Sequence, residues 1–303
     1  DVDQECRDIG GSILRLKKIE GEWQFIKNDE YNRRIDALTP IPLVADRAIL
    51  EKTVVQGTLG NCAGGKTPWN TLLTCEENHH YVVGEIDFTK DEREYSFQAQ
   101  SGWQRFYDMP PEHYGWVVEV DPFTGTAKKH TSMGRFSHES ATVVEADDGR
   151  CVVYTGDDKT NECIYKFIAD KPGSLERGTL YAADTINGLW LPLDININSR
   201  LSGHFKDQTD MLIRCREAAK LAGATPQDRP EDIEQDPESA AIFITLTKNA
   251  EVGRPYGSIL KIVEANNNPL ALSFSSSIFL TGGSETGFAC PDNLAFDKKG
   301  NLW

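Results

Sequence analysis

Apolar and β-branched residues recur along the chain in short runs of about four to seven residues, with turn-forming residues about every ten positions. Four segments share one pattern, in which a strand, a turn with glycine or acidic residues and a second strand follow each other. They are residues 14–26, 117–130, 142–156 and 293–303. Glycine supplies the positive φ that such a turn needs, and aspartate accepts hydrogen bonds from its backbone. Each segment therefore predicts a β-hairpin.

Hairpins repeated at intervals of a few tens of residues favour a β-propeller with long insertions, in one domain over residues 1–303. A β-sandwich with long loops is the alternative that this pattern leaves open. The last hairpin ends at Trp303, within its return strand. We therefore expect a fragment of a propeller, incomplete at both ends.

Two stretches interrupt the strand pattern. Residues 207–222 predict one amphipathic helix, capped by Asp207 or Thr209 and ended near Gly223. Its apolar positions at helical spacing are Met211, Leu212, Cys215, Ala218, Ala219 and Ala222. Residues 87–113 mix charged and aromatic residues without a period, which predicts a long excursion of the kind that often lines a site.

Composition and charge narrow the classes of function. The chain is 39% hydrophobic and carries a formal net charge of −15. So acidic a chain is not expected to bind nucleic acid, which requires lysine- and arginine-rich surface. The negative charge has two interpretations, solubility and cation binding. No apolar run reaches the length of about 18 residues that a membrane span needs, so we expect no membrane-spanning helix in this sequence.

The seven cysteines form no compact disulfide pattern, and their odd number leaves at least one unpaired. Cys62 stands out because it lies in a segment rich in glycine and followed by two adjacent carboxylates, Glu76 and Glu77. Side chains alternate along a strand, so only one of these two glutamates can easily join a given site. A solvated strand end is the alternative interpretation of the pair.

Further chemically capable residues lie where other predicted strands begin or end. His138 and Glu139 precede a strand, although a single histidine is more often structural than a ligand. Asp157 and Asp158 lie in a turn between strands, where they either bond the backbone or offer oxygen ligands to Ca²⁺. Asp292 precedes the last hairpin.

The densest acidic block precedes another strand. Its acidic members are Asp228, Glu231, Asp232, Glu234, Asp236 and Glu238. Arg229 lies among them, and its guanidinium suits either the capture of a phosphate or structural pairing. In a propeller, strand ends converge on the mouth of the central channel, where several loops can pool carboxylates around metal ions. The chain has no nucleophile elbow, phosphate-binding loop or HExxH motif.

Six motifs together resemble the PhoX alkaline phosphatases and the wider family of phosphatase-like propellers. The resemblance runs from about residue 9 to the end of the chain. In order, the motifs are NCAGGKTPWNTLLTCEEN, GWVVEVDPFTG, MGRFSHESATVV, VVYTGDDKTNECIYKF, GATPQDRPEDIE and CPDNLAFDKKGNLW. It implies a six-bladed propeller that hydrolyses small phosphomonoesters with a ferric pair and calcium at the channel mouth. It also implies an exported protein, periplasmic or extracellular, which we expect to be monomeric.

The resemblance also implies roles for particular residues. It favours Glu77 over Glu76 as a ligand. The implied iron-site and other metal ligands are Cys62, Glu77, Glu139 and Glu231, and the implied calcium ligands are Asp158 and Asp292. Arg229 is expected to hold the phosphate oxygens, and Asn78 to face metal or phosphate.

Two other functions fit an acidic propeller. One is a calcium-dependent hydrolase of the lactonase type, which needs neither a thiolate nor a phosphate-binding arginine. The other is a non-catalytic propeller that binds calcium for stability or holds a partner.

Overall fold

The computed structural model describes residues 1–90 and 92–303, and strands make up most of its regular structure. In chain order the strands are β1 (Gly11–Ile13), β2 (Leu16–Ile19), β3 (Glu22–Phe25), β4 (Arg33–Ile35), β5 (Pro40–Val44), β6 (Val54–Gln56), β7 (Asn61–Lys66), β8 (Leu72–Glu76), β9 (Glu85–Ile86), β10 (Tyr95–Phe97), β11 (Val117–Val120), β12 (Ala127–His130), β13 (Thr142–Glu145), β14 (Cys151–Gly156), β15 (Thr160–Glu162), β16 (Ile164–Ala169), β17 (Gly178–Asp184), β18 (Leu189–Pro192), β19 (Gln227–Asp228), β20 (Pro230–Gln235), β21 (Ile242–Leu246), β22 (Ser258–Glu264) and β23 (Phe274–Thr281).

The helices are few and short. They are α1 (Val2–Asp8), α2 (His79–Val83), α3 (Gln208–Ile213) and α4 (Cys215–Ala222). Single 3₁₀ turns cover Trp103–Arg105, Pro111–His113, Thr131–Met133, Ala250–Val252 and Ala265–Asn267. No helix of the described residues has the length and apolar character needed to cross a membrane. The predicted all-β class is confirmed.

Three larger sheets form the body of the chain. Sheet 1 has the strand order β6-β5-β12-β11-β8-β7, sheet 2 the order β13-β14-β16-β17-β18, and sheet 3 the order β20-β21-β22-β23. Within them all neighbours pair antiparallel except β5 and β12, which pair parallel. Sheets of four or more antiparallel strands that follow each other along the chain are typical of propeller blades.

One edge strand of each sheet lies against the edge of the next, since β7 contacts β13 and β13 contacts β20. Glycine allows this approach. A Cβ on Gly65 of β7 would lie 2.0 Å from the carbonyl oxygen of Ala141, and a Cβ on Gly156 would lie 2.3 Å from that of Pro230 in β20. Any side chain at these positions would force the sheets apart. We call β7, β13 and β20 the inner strands, and their ends are therefore close together.

Three of the four predicted hairpins form as expected: β2 with β3, β11 with β12 and β13 with β14. The fourth, in residues 293–303, forms as a shorter hairpin, in which Ala295 and Trp303 exchange backbone hydrogen bonds at 2.9 and 3.1 Å and Phe296 lies opposite Leu302. The turn itself has the predicted chemistry, because the Asp297 carboxylate accepts from the backbone N–H groups of Lys299 at 2.8 Å and Asn301 at 2.9 Å.

The single helix predicted over 207–222 is wrong, because the chain forms α3 and α4 with a break at Arg214, whose ψ is 37°. α3 buries three consecutive residues, 211–213, and one apolar stripe of a continuous helix cannot include all three. The predicted ends are right. The Asp207 carboxylate accepts from the N–H of Asp210 at 2.8 Å, and Gly223 ends α4 with a φ of +99°.

The predicted excursion over 87–113 contains little regular structure. Its strand β10 pairs with β9, and two of the 3₁₀ turns follow. Asp91, which falls within this prediction, lies outside the described residues.

The largest core lies between sheets 1 and 2, and α3 and α4 pack on it. Leu73 and Val117 of sheet 1 meet Tyr165 and Phe167 of sheet 2 there, and Met211 of α3 belongs to the same cluster. A second core joins sheets 2 and 3. The helical insertion is therefore packed on the β body, as expected for an amphipathic segment.

A buried ion pair ties sheet 2 to sheet 3. Lys166 Nζ donates to Glu264 Oε1 at 2.8 Å and to the carbonyl of Ala271 at 2.7 Å. The same carboxylate accepts from Tyr154 Oη at 2.7 Å and from Trp190 Nε1 at 3.1 Å. Within the described part of the chain, Lys166 is the one charged donor to Glu264, and it balances the buried negative charge.

We expect Lys166→Met to destabilise the fold by about 3 to 5 kcal/mol, because it leaves Glu264 buried without its cation. The free energy of unfolding in urea measures the effect. Lys171→Met at an exposed position is the matched control and should change little. Equal unfolding midpoints for the two variants would show that the pair contributes no net stability.

Candidate metal centre

Cys62 lies in β7, where the pairing with β8 becomes irregular between Cys62 and Gly64. A Cβ on Gly64 would lie 1.8 Å from the carbonyl oxygen of Leu73, so this strand pair requires glycine there. The Cys62 side chain points toward sheet 2, and its Sγ lies 3.1 Å from Glu139 Oε1. Gly64 and Gly65 of the motif thus allow the backbone to approach its neighbours closely.

The adjacent glutamates have different environments, as alternation along β8 predicts. Glu76 is fully buried, and Lys129 Nζ donates to its Oε1 at 2.7 Å. Its carboxylate also accepts the backbone N–H groups of Leu59, Gly115 and Trp116 at 3.0 to 3.1 Å. Glu76 therefore joins strands and loops, and it is already saturated with donors. Glu77 is the member of the pair that faces Cys62.

Three potential ligands meet at the ends of inner strands. Ligand atoms of Cys62, Glu77 and Glu139 all lie within 4.8 Å of one another. Asn78 Nδ2 donates to Glu77 Oε1 at 2.6 Å, which orients that carboxylate. A thiol is a soft ligand and a carboxylate is a hard one, so this set suits a transition metal such as iron better than calcium alone.

A second set of groups adjoins the first and is built around Arg229. Its Nη2 lies 2.8 Å from Asp158 Oδ2 and 2.5 Å from Glu231 Oε1. Arg229 has a φ of +60°, which lies in the left-handed region that residues other than glycine seldom adopt. We call Cys62, Glu77, Glu139, Asp158 and Glu231 the ligand cluster.

Two carboxylate oxygens of the ligand cluster are buried without a hydrogen-bond partner among the described residues. They are Asp158 Oδ1 and Glu231 Oε2. A buried acceptor without a donor is unfavourable, and a bound cation satisfies it. The residues present therefore fit the metal ions that the sequence analysis predicted.

The ligand cluster gathers acidic groups in a poorly solvated site, and this raises their pKa values. Burial, with the neighbouring Glu139 and Asp158, raises the pKa of Glu77 to about 8. Burial and Asp158 raise the pKa of Glu231 to about 9. Burial and the hydrogen bond to Glu139 raise the pKa of the Cys62 thiol to about 12. A bound cation reverses this effect, since it favours the ionised form of each ligand.

Asp292 is exposed at the edge of the ligand cluster and is the least enclosed of the predicted ligands. After burial and Asp158, it contributes to the raised pKa values of Glu139 and Glu231. Sequence reasoning gave no role to Asp232, whose carboxylate accepts from the backbone N–H of Leu294 at 2.8 Å. Asp232 thereby anchors the segment that carries Asp292, a contact between residues 62 positions apart.

Other acidic and histidine candidates lie outside the ligand cluster. His138 bonds Thr155 Oγ1 and the carbonyl of Gly134, both at 2.9 Å, which is the structural alternative noted for it. Asp157 pairs with Arg216 at 2.7 Å. In the acidic block, Asp228 pairs with Arg254, and Asp236 and Glu238 belong to an exposed turn.

Fold and site together define a β-propeller protein with a candidate mixed-ligand metal centre. The sequence model of the family described as alkaline phosphatase PhoX matches residues 1–303, and the chain belongs to that family. It is also similar to a solved structure, described as Pseudomonas fluorescens PhoX in complex with vanadate, a transition state analogue, with a TM-score of 0.86 and 33% identity. The match covers 96% of this chain and 64% of that one, so this chain spans less than two thirds of that protein's length. No curated protein matches the chain.

The raised pKa values predict how the stability of chelator-treated protein depends on pH. Glu77 and Glu231 titrate near pH 8 and 9 when folded, against 4.5 for an ordinary glutamate. Between about pH 5 and 9 the folded state therefore holds more protons than the unfolded state, so the free energy of unfolding falls as pH rises. Melting temperatures of the chelator-treated protein across this range measure the loss.

The double variant Glu77→Gln with Glu231→Gln is the matched control for this pH dependence. It cannot ionise at these positions, so its melting temperature should vary less over the same range. Adding iron and calcium to the wild-type protein should restore stability most at high pH, because the cations favour the ionised ligands. A chelated wild-type protein that is stabilised as pH rises would contradict the assignment of these pKa values.

Proposed function

We propose that this protein hydrolyses phosphomonoesters at a metal centre formed by the ligand cluster. The observation that carries the proposal is the location of Arg229 beside Asp158 and Glu231, each of which has one carboxylate oxygen that lacks a donor among the described residues. Cations at those oxygens and a guanidinium next to them together suit a phosphoryl group, which carries negative charge on several oxygens. Membership of the alkaline phosphatase PhoX family supports the same activity.

The proposed ligands divide by chemistry. Cys62, Glu77, Glu139 and Glu231 would hold a ferric pair, with the thiolate as the soft ligand. Asp158 and Asp292 offer only oxygen and would hold calcium. Ions bound there would supply Lewis-acid stabilisation of the charge on the phosphoryl group and on the attacking oxygen.

Arg229 would bind and orient the phosphate. Its Nη2 is engaged by Asp158 and Glu231, while Nε and Nη1 have no hydrogen bond among the described residues and remain free to donate. The two carboxylates hold the guanidinium in place before substrate arrives, so little of its conformational entropy is lost on binding. Asn78 orients Glu77 and offers its amide to the ligand cluster.

The solved relative is described as a complex with vanadate, a transition state analogue. A vanadate ion resembles a phosphoryl group in transfer, which is consistent with phosphate chemistry on this fold. We further propose that the protein acts outside the cytoplasm, where free calcium suits weak oxygen sites, and that it works as a monomer on small phosphate esters.

The lactonase and non-catalytic interpretations assign no role to two observed features. Neither uses the contact between Cys62 and Glu139, and neither requires an arginine beside the carboxylates. The phosphatase proposal uses both of these features.

We expect Cys62→Ser and Glu231→Gln each to lower the bound iron and to reduce hydrolysis of 4-nitrophenyl phosphate at least about a hundredfold, since each removes a ligand. Elemental analysis by plasma mass spectrometry and initial rates measure the two effects. Cys290→Ser and Glu238→Gln are matched controls at exposed positions and should retain both metal and activity. Unchanged iron and turnover in both ligand variants, with the fold intact by circular dichroism, would refute the proposed centre.

Arg229→Gln should lower kcat/KM for phosphomonoesters by about a hundredfold or more, because a charge-assisted donor to the transferring group is lost. Arg229→Lys keeps the charge but loses the planar fork, so we expect it to recover only part of the activity. Arg254→Gln, which removes an arginine paired with Asp228 outside the ligand cluster, is the control. Full kcat/KM for phosphomonoesters in Arg229→Gln would refute the phosphate-binding role of Arg229.

A further inference from the structure

The two insertions that interrupt the strand pattern enclose a cavity against the β body. Its volume is about 530 Å³, within the range of small-molecule sites. One wall comes from residues 85–89 at the start of the long excursion, and another comes from the end of α3 and the face of α4. Lys159 contributes from the turn that follows β14. The proposed phosphatase centre does not include this cavity.

The cavity has an apolar side. Carbon surface is contributed by Ile86 and Phe88 of the excursion and by Ile213 and Leu221 of the helices. Such walls favour a ring or another flat apolar group over a compact hydrated ion, because contact with them removes apolar surface from water. An inorganic anion alone would leave this side unused.

The cations that line the cavity differ in how they are neutralised. Most have a carboxylate partner: Arg135 with Glu85 at 2.8 Å, Arg214 with Glu217 at 2.7 Å, Arg216 with Asp157 at 2.7 Å and Lys220 with Glu162 at 2.7 Å. Lys159 Nζ has no hydrogen bond or ion pair within the described part of the chain. The Lys159 side chain is exposed and lines the cavity, so its ammonium is free to bind an anion there.

Two short segments join the cavity to the ligand cluster. In the first, Asp158 contacts Arg229, and the next residue, Lys159, lines the cavity. The second segment begins at Glu77 of the ligand cluster. Two residues later, His79 Nε2 lies 3.8 Å from Oε2 of Glu85, which lines the cavity. Consecutive Cα atoms are about 3.8 Å apart, so the two regions are neighbours on the scale of one substrate molecule.

We propose that this cavity binds the leaving group of the substrate, and that Lys159 selects esters whose leaving group joins a ring to a second anionic group. The inference rests on the proposed phosphatase function and adds a substrate class to it. The apolar walls would contact the ring, while the ammonium of Lys159 would donate to the anion at its far end. The phosphoryl group would lie at the ligand cluster with Arg229.

The test compares two non-hydrolysable analogues that differ only in charge, 4-carboxybenzylphosphonate and its neutral isostere 4-carbamoylbenzylphosphonate. Isothermal titration calorimetry on the protein as purified gives the ratio of their dissociation constants. One charge-assisted hydrogen bond corresponds to a preference of about tenfold for the carboxylate. Lys159→Gln should bring this ratio close to one. Lys171→Gln, which removes an exposed lysine outside the cavity, should keep it.

The corresponding esters, 4-carboxyphenyl phosphate and 4-carbamoylphenyl phosphate, separate the two proposals by turnover. Hydrolysis of both esters with equal kcat/KM, together with equal binding of both analogues, would overturn the role of the cavity while the phosphatase function stands. Binding preference without hydrolysis of either ester would overturn the phosphatase function and support the cavity. A preference that persists in Lys159→Gln would overturn the assignment of Lys159.

Discussion

The gathering of several acidic side chains around one arginine is the constraint on which the ligand cluster depends. Around the ligand cluster, buried acids meet their own cations: Glu76 meets Lys129, and Asp157 meets Arg216, each at 2.7 Å. Among the described residues, Arg229 is the one cation paired with acids of the ligand cluster, so these carboxylates cannot all be ionised in a poorly solvated site unless cations enter. Because the acids around the ligand cluster are paired with their own cations, the uncompensated negative charge is confined to the ligand cluster.

The backbone holds these charges together at some expense in conformational freedom. Gly65 and Gly156 lie where any side chain would collide with the next inner strand, so the sheets meet edge to edge only because these residues are glycine. Glu76 collects three backbone N–H groups and Lys129, which fixes the end of β8 where Glu77 begins. Arg229 retains a left-handed backbone in the same region. The fixed strand ends therefore bring the side chains of the ligand cluster close to one another.

The insertions extend this design outward. The excursion after β9 and the pair α3 and α4 contribute no residue to the ligand cluster, yet they enclose the cavity beside it. Their packing depends on ion pairs that reach back to the β body, such as Arg216 with Asp157 and Lys220 with Glu162. The propeller strands thus hold the proposed chemistry, while the insertions shape the space available to a substrate.

Local sequence determined the strands, the turns and the kinds of ligand, because alternation, glycine and aspartate in turns and helix caps act within a few residues. Alternation along the strand also showed that only one of Glu76 and Glu77 can easily join a given site. Tertiary structure decided which glutamate meets Cys62, since Lys129 and distant N–H groups claim the other. It also divided α3 from α4 and assigned Asp157 to an ion pair 59 residues away in the chain. These outcomes depend on partners far along the chain, and no local pattern records them.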